Sequence, residues 1–246
     1  MFHIFSKKRA AAPLCFSTDI HCHIIPGVDD GSPDAATSAD LIERMQEWGI
    51  DRILASPHVT QNTFENTRAT LTPALDKLRA ELAARNNSIQ VDHSAEYRID
   101  ELLLKHIEDG DLMPYPNDYL LIENSFMQEP WNLDQLIFDL QVRGFRPILA
   151  HPERYPYYYS RKNRLEEIRN AGAALQINLL SLAGAYGKAE RNMAEHLIKK
   201  GLVGFIGTDL HKHSHADAID AYLRTKQACK DMEALAPMVK NNEAFL

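Results

Sequence analysis

Apolar and β-branched residues fall into short runs along the chain, and longer stretches with the 3.6-residue period of an amphipathic helix lie between them. The short runs predict seven strands: Ser17–His21, Arg52–Ser56, Ile89–Ala95, Tyr119–Ile122, Arg146–Ala150, Ala174–Ile177 and Val203–Gly207. The periodic stretch Asp34–Trp48 groups Ala35, Ala39, Leu41, Ile42 and Met45 and stops at Gly49. Thr70–Ala84 groups Leu71, Leu75, Leu78 and Leu82, with Pro73 close to its start, where a missing amide is tolerated. Leu133–Arg143, Lys162–Asn170 and Ala189–Lys200 each run into a glycine and then into a strand. That rhythm is the crossover of a parallel sheet. Seven such strands predict an α/β chain folded as one closed or nearly closed (β/α) barrel. No glycine-rich dinucleotide loop follows any strand, which removes the usual support for an open doubly wound sheet.

Composition adds limits. The chain has 246 residues, 45% hydrophobic and 25% charged, with a formal net charge of −7, so a nucleic acid or an anionic membrane is not the expected main partner. Cys15, Cys22 and Cys229 form neither a disulfide framework nor a metal-binding pair, and they fit a reducing cytoplasm. None starts a cysteine-phosphatase loop, because the positions six residues on are His21, Val28 and Leu235 rather than arginine. Residues 1–16, with Lys7, Lys8 and Arg9, read as a basic tail, a candidate for disorder, ahead of a domain over residues 17–246. No stretch is long enough for a membrane span.

The chemistry lies at the strand ends. In an extended segment residues two apart face one side, so His21 and His23 can converge while Cys22 points away into packing. His58 follows the second strand, Glu96 the third and Glu123 the fourth; His151 ends the fifth, and Asp209 with His211 ends the seventh. Six of the seven predicted strands thus deliver a candidate ligand at the C-terminal rim, where parallel barrels build their sites. A ring of imidazoles and carboxylates at the ends of apolar strands is costly unless something compensates it. Five histidines and three carboxylates without a thiolate suit Mn²⁺, Fe²⁺ or Zn²⁺, and exceed what one tetrahedral ion takes. Two or three ions, with Glu96 and Asp209 as bridges, would use them all.

In this order the residues resemble the polymerase and histidinol phosphatase (PHP) family of trinuclear metallo-phosphoesterases. Asp19-Ile20-His21-Cys22-His23, Gly27-Val28-Asp29-Asp30-Gly31, Ser56-Pro57-His58 and His151-Pro152-Glu153-Arg154-Tyr155 together resemble its branch of bacterial tyrosine-protein phosphatases of capsule and exopolysaccharide synthesis. The resemblance implies a distorted seven-stranded TIM-like barrel of the PHP fold, manganese as the expected metal, and a phosphotyrosine protein substrate, expected to be a tyrosine kinase. It also implies that Arg154 binds phosphate and that Asp30 lies near a third metal, as ligand or as acid for the leaving phenolate. The family's loop arginine after the last ligand pair is missing, and Lys212, His213 or His215 stands in its place.

Three rivals remain at this level: a histidinol-phosphate-like small-molecule phosphatase, a metal-dependent amidohydrolase and a non-catalytic metal-stabilised domain. Amidohydrolases usually present a mid-barrel lysine where this chain has Glu96 and Glu123, and a decayed domain would have lost ligands. Tyr97, Phe126, Trp131 and Tyr155–Tyr159 are candidates to flank a phenyl ring. His93, His106 and His196 read as structural or exposed.

Overall fold

The structure, a computed structural model, describes residues 11–245. Its first half runs β1 (Thr18–Asp19), α1 (Ala35–Glu47), β2 (Arg52–Ala55), β3 (His58–Thr60), β4 (Phe64–Glu65), α2 (Arg68–Ala84), β5 (Gln90–His93), β6 (Glu96–Arg98) and α3 (Glu101–Asp109). The second half runs β7 (Tyr119–Glu123), α4 (Leu133–Val142), β8 (Arg146–Ala150), α5 (Asn163–Asn170), β9 (Ala174–Asn178), α6 (Leu179–Ala183), α7 (Lys188–Lys199), β10 (Val203–Gly207), α8 (His213–Leu223) and α9 (Lys226–Leu235).

Pairing is parallel within β1-β2-β5 and within β10-β9-β8-β7-β6-β3, and β4 adds an antiparallel edge to β3. The two sheets are one distorted barrel. β2 and β3 are halves of one strand broken at Ser56-Pro57, and β5 and β6 are halves of another broken at Ser94-Ala95. Backbone bonds bridge both breaks: Ser94 N–H donates to the Ala55 carbonyl at 2.8 Å and Glu96 N–H to the Pro57 carbonyl at 3.0 Å. A parallel bridge between Cys22 and Leu210 closes the ring between its first and last strands.

The strands from β7 onward follow the sequence reading to within a residue. The first predicted strand, Ser17–His21, is strand only over Thr18–Asp19, and the second and third each end at a break and resume after it. Helix α3 was not expected, although Asp100 caps it at both Leu102 N and Leu103 N (2.9 and 3.2 Å) and Gly110 ends it at φ 70°. Its apolar residues Leu102, Leu103 and Leu104 are contiguous, which hides the helical period. Helices α6, α8 and α9 were not expected either. Residues 1–10 of the expected tail lie outside the described residues. Its remainder is packed, since Ala12 and Phe16 are buried and Ala12 N–H donates to the Leu223 carbonyl at 2.7 Å.

Inside the ring, Ile20, Leu54, Leu121, Ile148, Ala150 and Phe205 form one apolar cluster with Tyr115 and Phe245. Phe245 packs its ring 5.3 Å from Tyr119 and 5.5 Å from Phe205. Outside, the apolar faces of the helices bury against the strands; Leu41, Ile42 and Met45 of α1 have no exposure. The core therefore fills the barrel below its C-terminal rim.

Candidate metal centre

The chain beyond β1 and the chain beyond β10 run side by side. Asp209 N–H donates to the His21 carbonyl at 2.7 Å, and His23 N–H to the Leu210 carbonyl at 2.9 Å. Alternation then sends His21 and His23 to the inside and leaves Cys22 buried on the other side. Two glycines make room for these histidines. A Cβ at Gly207 would lie 2.4 Å from His21 Cβ, and one at Gly31 would lie 2.1 Å from the His23 carbonyl oxygen. His151 and Asp209 sit at φ 32° and 54°, strained for residues with a side chain, and both close their strands on the rim.

All eight sequence-predicted residues meet in one place. His21 Nε2 is 3.4 Å from Glu96 Oε2 and 3.6 Å from Asp209 Oδ1, while His23 Nε2 is 3.5 Å from each of the same oxygens. The same Oε2 of Glu96 has His58 Nδ1 at 3.0 Å, and its Oε1 has His151 Nε2 at 2.9 Å. Glu123 Oε1 is 3.6 Å from the same His151 nitrogen. Asp30 faces His58 Nε2 at 3.5 Å and His211 Nε2 at 3.6 Å. These residues form overlapping groups of three or four whose donor atoms lie within 4.8 Å of one another.

Other residues aim these donors, and the sequence reading had given none of them this role. Gln176 Oε1 meets His21 Nδ1 at 2.9 Å, and Asp29 Oδ2 meets His23 Nδ1 at 2.8 Å, so each ring turns its Nε2 inward. Asp29 also accepts from His58 N–H at 3.1 Å, tying two predicted ligands together. Asp209 accepts at Oδ2 from Asn178 Nδ2 (2.6 Å), Tyr186 OH (2.6 Å) and Arg154 Nη1 (2.8 Å), while its Oδ1 faces the histidines. Gln176 had a readable signal, because it is a polar residue in the middle of the apolar run Ala174–Ile177.

The buried charges are interdependent. Burial alone would raise the Glu96 carboxyl, but His21, His58 and His151 hold it well below the usual range. Asp209 is held down in the same way by His21, His211 and Arg154 against its burial. Burial and then the neighbouring Glu96 push Glu123 up to about 7. Burial opposes charge on His21 and His58, yet Glu96 and other carboxylates raise them to about 9 and about 10. His23 and His151 fall to about 4, through burial first and then through His211 and His58 in one case and Arg154 in the other. The carboxylates thus demand more positive charge than the buried imidazoles carry without cost.

A cleft of about 490 Å³ opens above the group, bounded by Asp30, Phe64, Arg98, Phe126, Arg154 and Tyr186 among others. Arg154 lies between two rings, 4.1 Å from the Tyr186 centroid and 5.0 Å from that of Phe126. Lys212 and His215 also line it, whereas His213 begins α8 outside the lining. Of the predicted aromatic flank only Phe126 lines this cleft. Tyr97 is buried with its hydroxyl accepting from Met113 N–H, Tyr155 and Tyr158 hold Asn124 from below, and Trp131 points to solvent. His106 pairs with Asp111 at 2.6 Å, away from the site.

A family model described as capsular polysaccharide synthesis, CpsB/CapC, matches residues 17–239. The chain is 34% identical over 195 residues to tyrosine-protein phosphatase YwqE of Bacillus subtilis, covering 78% of this chain and 76% of that one. It is 28% identical over 200 residues to tyrosine-protein phosphatase CpsB of Streptococcus agalactiae, covering 78% and 82%. A crystal structure from work on YwqE of Bacillus subtilis and CpsB of Streptococcus pneumoniae, described there as unique metal-dependent tyrosine phosphatases, superposes with a TM-score of 0.76. That match has 29% identity and covers 92% of this chain and 95% of that one. An amidohydrolase from Mycoplasma synoviae, 12% identical with a TM-score of 0.57 over 97% and 92% of the two chains, shares the fold. The chain belongs to the CpsB/CapC family of capsular polysaccharide synthesis.

Proposed function

We propose that this chain is a metal-dependent protein-tyrosine phosphatase, and that His21, His23, His58, Glu96, Glu123, His151, Asp209 and His211 hold two or three divalent ions, with manganese the expected one. The observation that carries this reading is the set of orphaned donors. His21 Nε2, His23 Nε2, His58 Nδ1 and Glu96 Oε2 are all buried without a hydrogen-bond partner, and they face one another. Leaving four such atoms unmet is expensive unless cations meet them. Their spacing suits shared cations: His21 Nε2 and His23 Nε2 each lie 3.4 to 3.6 Å from an oxygen of Glu96 and an oxygen of Asp209, close to the ~3.4 Å between neighbouring donors whose bonds to one ion are ~2.1 Å. In this reading Glu96 and Asp209 would be shared between ions, and Asp30 would join His58 and His211 at the outer position.

Ions held there supply Lewis-acid polarisation of phosphoryl oxygens and a water of lowered pKa. The chain's own residues do the rest. Arg154, clamped between Phe126 and Tyr186 and tied to Asp209, presents a guanidinium to the cleft for phosphate. Phe126 and Phe64 wall the cleft where a phenyl ring would lie. The physiological substrate in this reading is a phosphotyrosine protein of capsule or exopolysaccharide synthesis, expected to be a tyrosine kinase, acted on in the cytoplasm. Among the described residues no helix is long and apolar enough to cross a membrane.

The test is a substrate panel. A phosphotyrosine peptide should turn over at least about tenfold faster in kcat/KM than a phosphoserine peptide or sugar phosphates. A preference for histidinol phosphate or a sugar phosphate would replace this reading with the small-molecule one.

A further inference from the structure

The loop between β7 and α4 has two faces. Phe126 turns into the catalytic cleft, whereas its neighbours Ser125 and Met127 line a second groove of about 400 Å³ with Ile99, Pro130 and Trp131. The end of β6, the strand paired with β7, divides in the same way: Arg98 lines the cleft and Ile99 the groove. Arg98, 5.7 Å from the Phe126 ring, forms the ridge between them.

Trp131 is 96% exposed and Met127 89% exposed. The loop that carries them is nonetheless tied down. Tyr157 OH donates to the Ser125 carbonyl at 2.9 Å, and Arg164 bonds Glu129 at 2.9 Å. Two large apolar side chains held in water beside an active cleft are the mark of a binding surface. The two depressions differ in their cations. Arg98, Arg154 and Lys212 line the cleft beside Asp30, Glu123 and Asp209, whereas the charged residues lining the groove, Asp100 and Glu101, are both acidic.

We propose that this groove holds the polypeptide flanking the phosphotyrosine of a protein substrate, an extended segment with apolar or basic rather than acidic residues beside the tyrosine. The proposal rests on the phosphatase reading above. A phosphotyrosine ring entering the cleft leaves its main chain at the mouth, and the ridge of Arg98 and Phe126 passes that chain to the groove. The phosphate meets Arg154, and the flank meets Trp131, Met127 and Glu101, the Asp100 carboxylate being engaged by the amides of Gln61, Leu102 and Leu103. Aromatic and methionine side chains carry binding energy of this kind without a charge partner.

Two arms test it. The double variant Trp131→Ala with Met127→Ala should lose about tenfold in kcat/KM, through KM, on a phosphotyrosine peptide with apolar and lysine flanks. It should hydrolyse p-nitrophenyl phosphate as wild type does. Equal losses on both substrates, or none on either, would overturn the docking role. In the second arm a peptide bearing a phosphonate analogue of phosphotyrosine should shield the wild-type protein's indole fluorescence from acrylamide, and inorganic phosphate should not. The signal belongs to Trp131, because Trp48 is already buried with its indole N–H on Asp220. No shielding by the peptide overturns the groove even if p-nitrophenyl phosphate is hydrolysed, while a wild type inert towards that ester overturns the catalytic reading. A concentration-dependent dimer abolished by the double variant would assign the face to a second copy of the chain.

Discussion

The barrel has a regular half and a broken half. From β7 to β10 the strands are five residues each and pair in sequence order. From β1 to β6 no strand exceeds four residues, and two are interrupted in mid-course. His21, His23, His58 and Glu96 belong to the broken half, and Glu123, His151 and Asp209 to the regular one. A continuous strand offers the rim only its last residue or two. A break with its ladder re-formed, as at Ser56-Pro57 and Ser94-Ala95, starts a new short strand on a ligand: Glu96 lies fully buried beneath the mouth, and His58 stands on the cleft wall above it. Irregularity here is how the fold crowds histidines around one carboxylate.

The sharpest way to break the comparison is at its hinge, Glu96, which touches donors from both halves. Glu96→Ala should abolish metal binding and lower kcat at least ~1,000-fold, whereas His196→Ala, on α7 away from the cleft, should change neither. Equal effects, read by metal analysis and p-nitrophenyl phosphate kinetics, would show the cluster to be elsewhere. Next, Asp29→Asn should weaken metal affinity roughly 10- to 100-fold with the fold intact, because it loses the carboxylate that orients His23 and meets His58 N–H. A competitive chelator titration measures this.

The packing beneath the regular half should respond through stability instead. Phe245→Ala empties the space beneath β7 and β10 and should cost about 3–5 kcal/mol in denaturant unfolding, while the folded fraction keeps its KM. Gly31→Ala sits between these extremes. Its new methyl meets the His23 backbone, so a destabilisation of ~1–3 kcal/mol should come with reduced metal content. Lost stability with unchanged metal content would mean that His23 is not held from that side.

Legibility in the sequence followed the same divide. Arg146–Ala150 and Val203–Gly207 were readable because a buried parallel strand is a plain apolar run ended by a glycine or a polar rim residue. β3 and β6 were missed because each is three residues long and polar, and its pairing is set by tertiary contacts rather than propensity. The candidate ligands were legible because each lies beside an apolar run, including the two whose strands were drawn too long or too short. Their orienting partners were not: Asp29 looks like half of a turn, and Asn178 and Tyr186 reach Asp209 only through the fold. Trp131 misled because it neighbours a strand end in sequence and yet faces away from the cleft.

The central claim is that the rim residues hold ions on which phosphotyrosine hydrolysis depends. The direct measurement is metal content and hydrolytic rate on one preparation, stripped by chelator and then titrated with Mn²⁺. The stripped protein should be inactive, with rate returning in step with two or three bound ions per chain. Full hydrolysis of a phosphotyrosine peptide by metal-free protein would contradict the account.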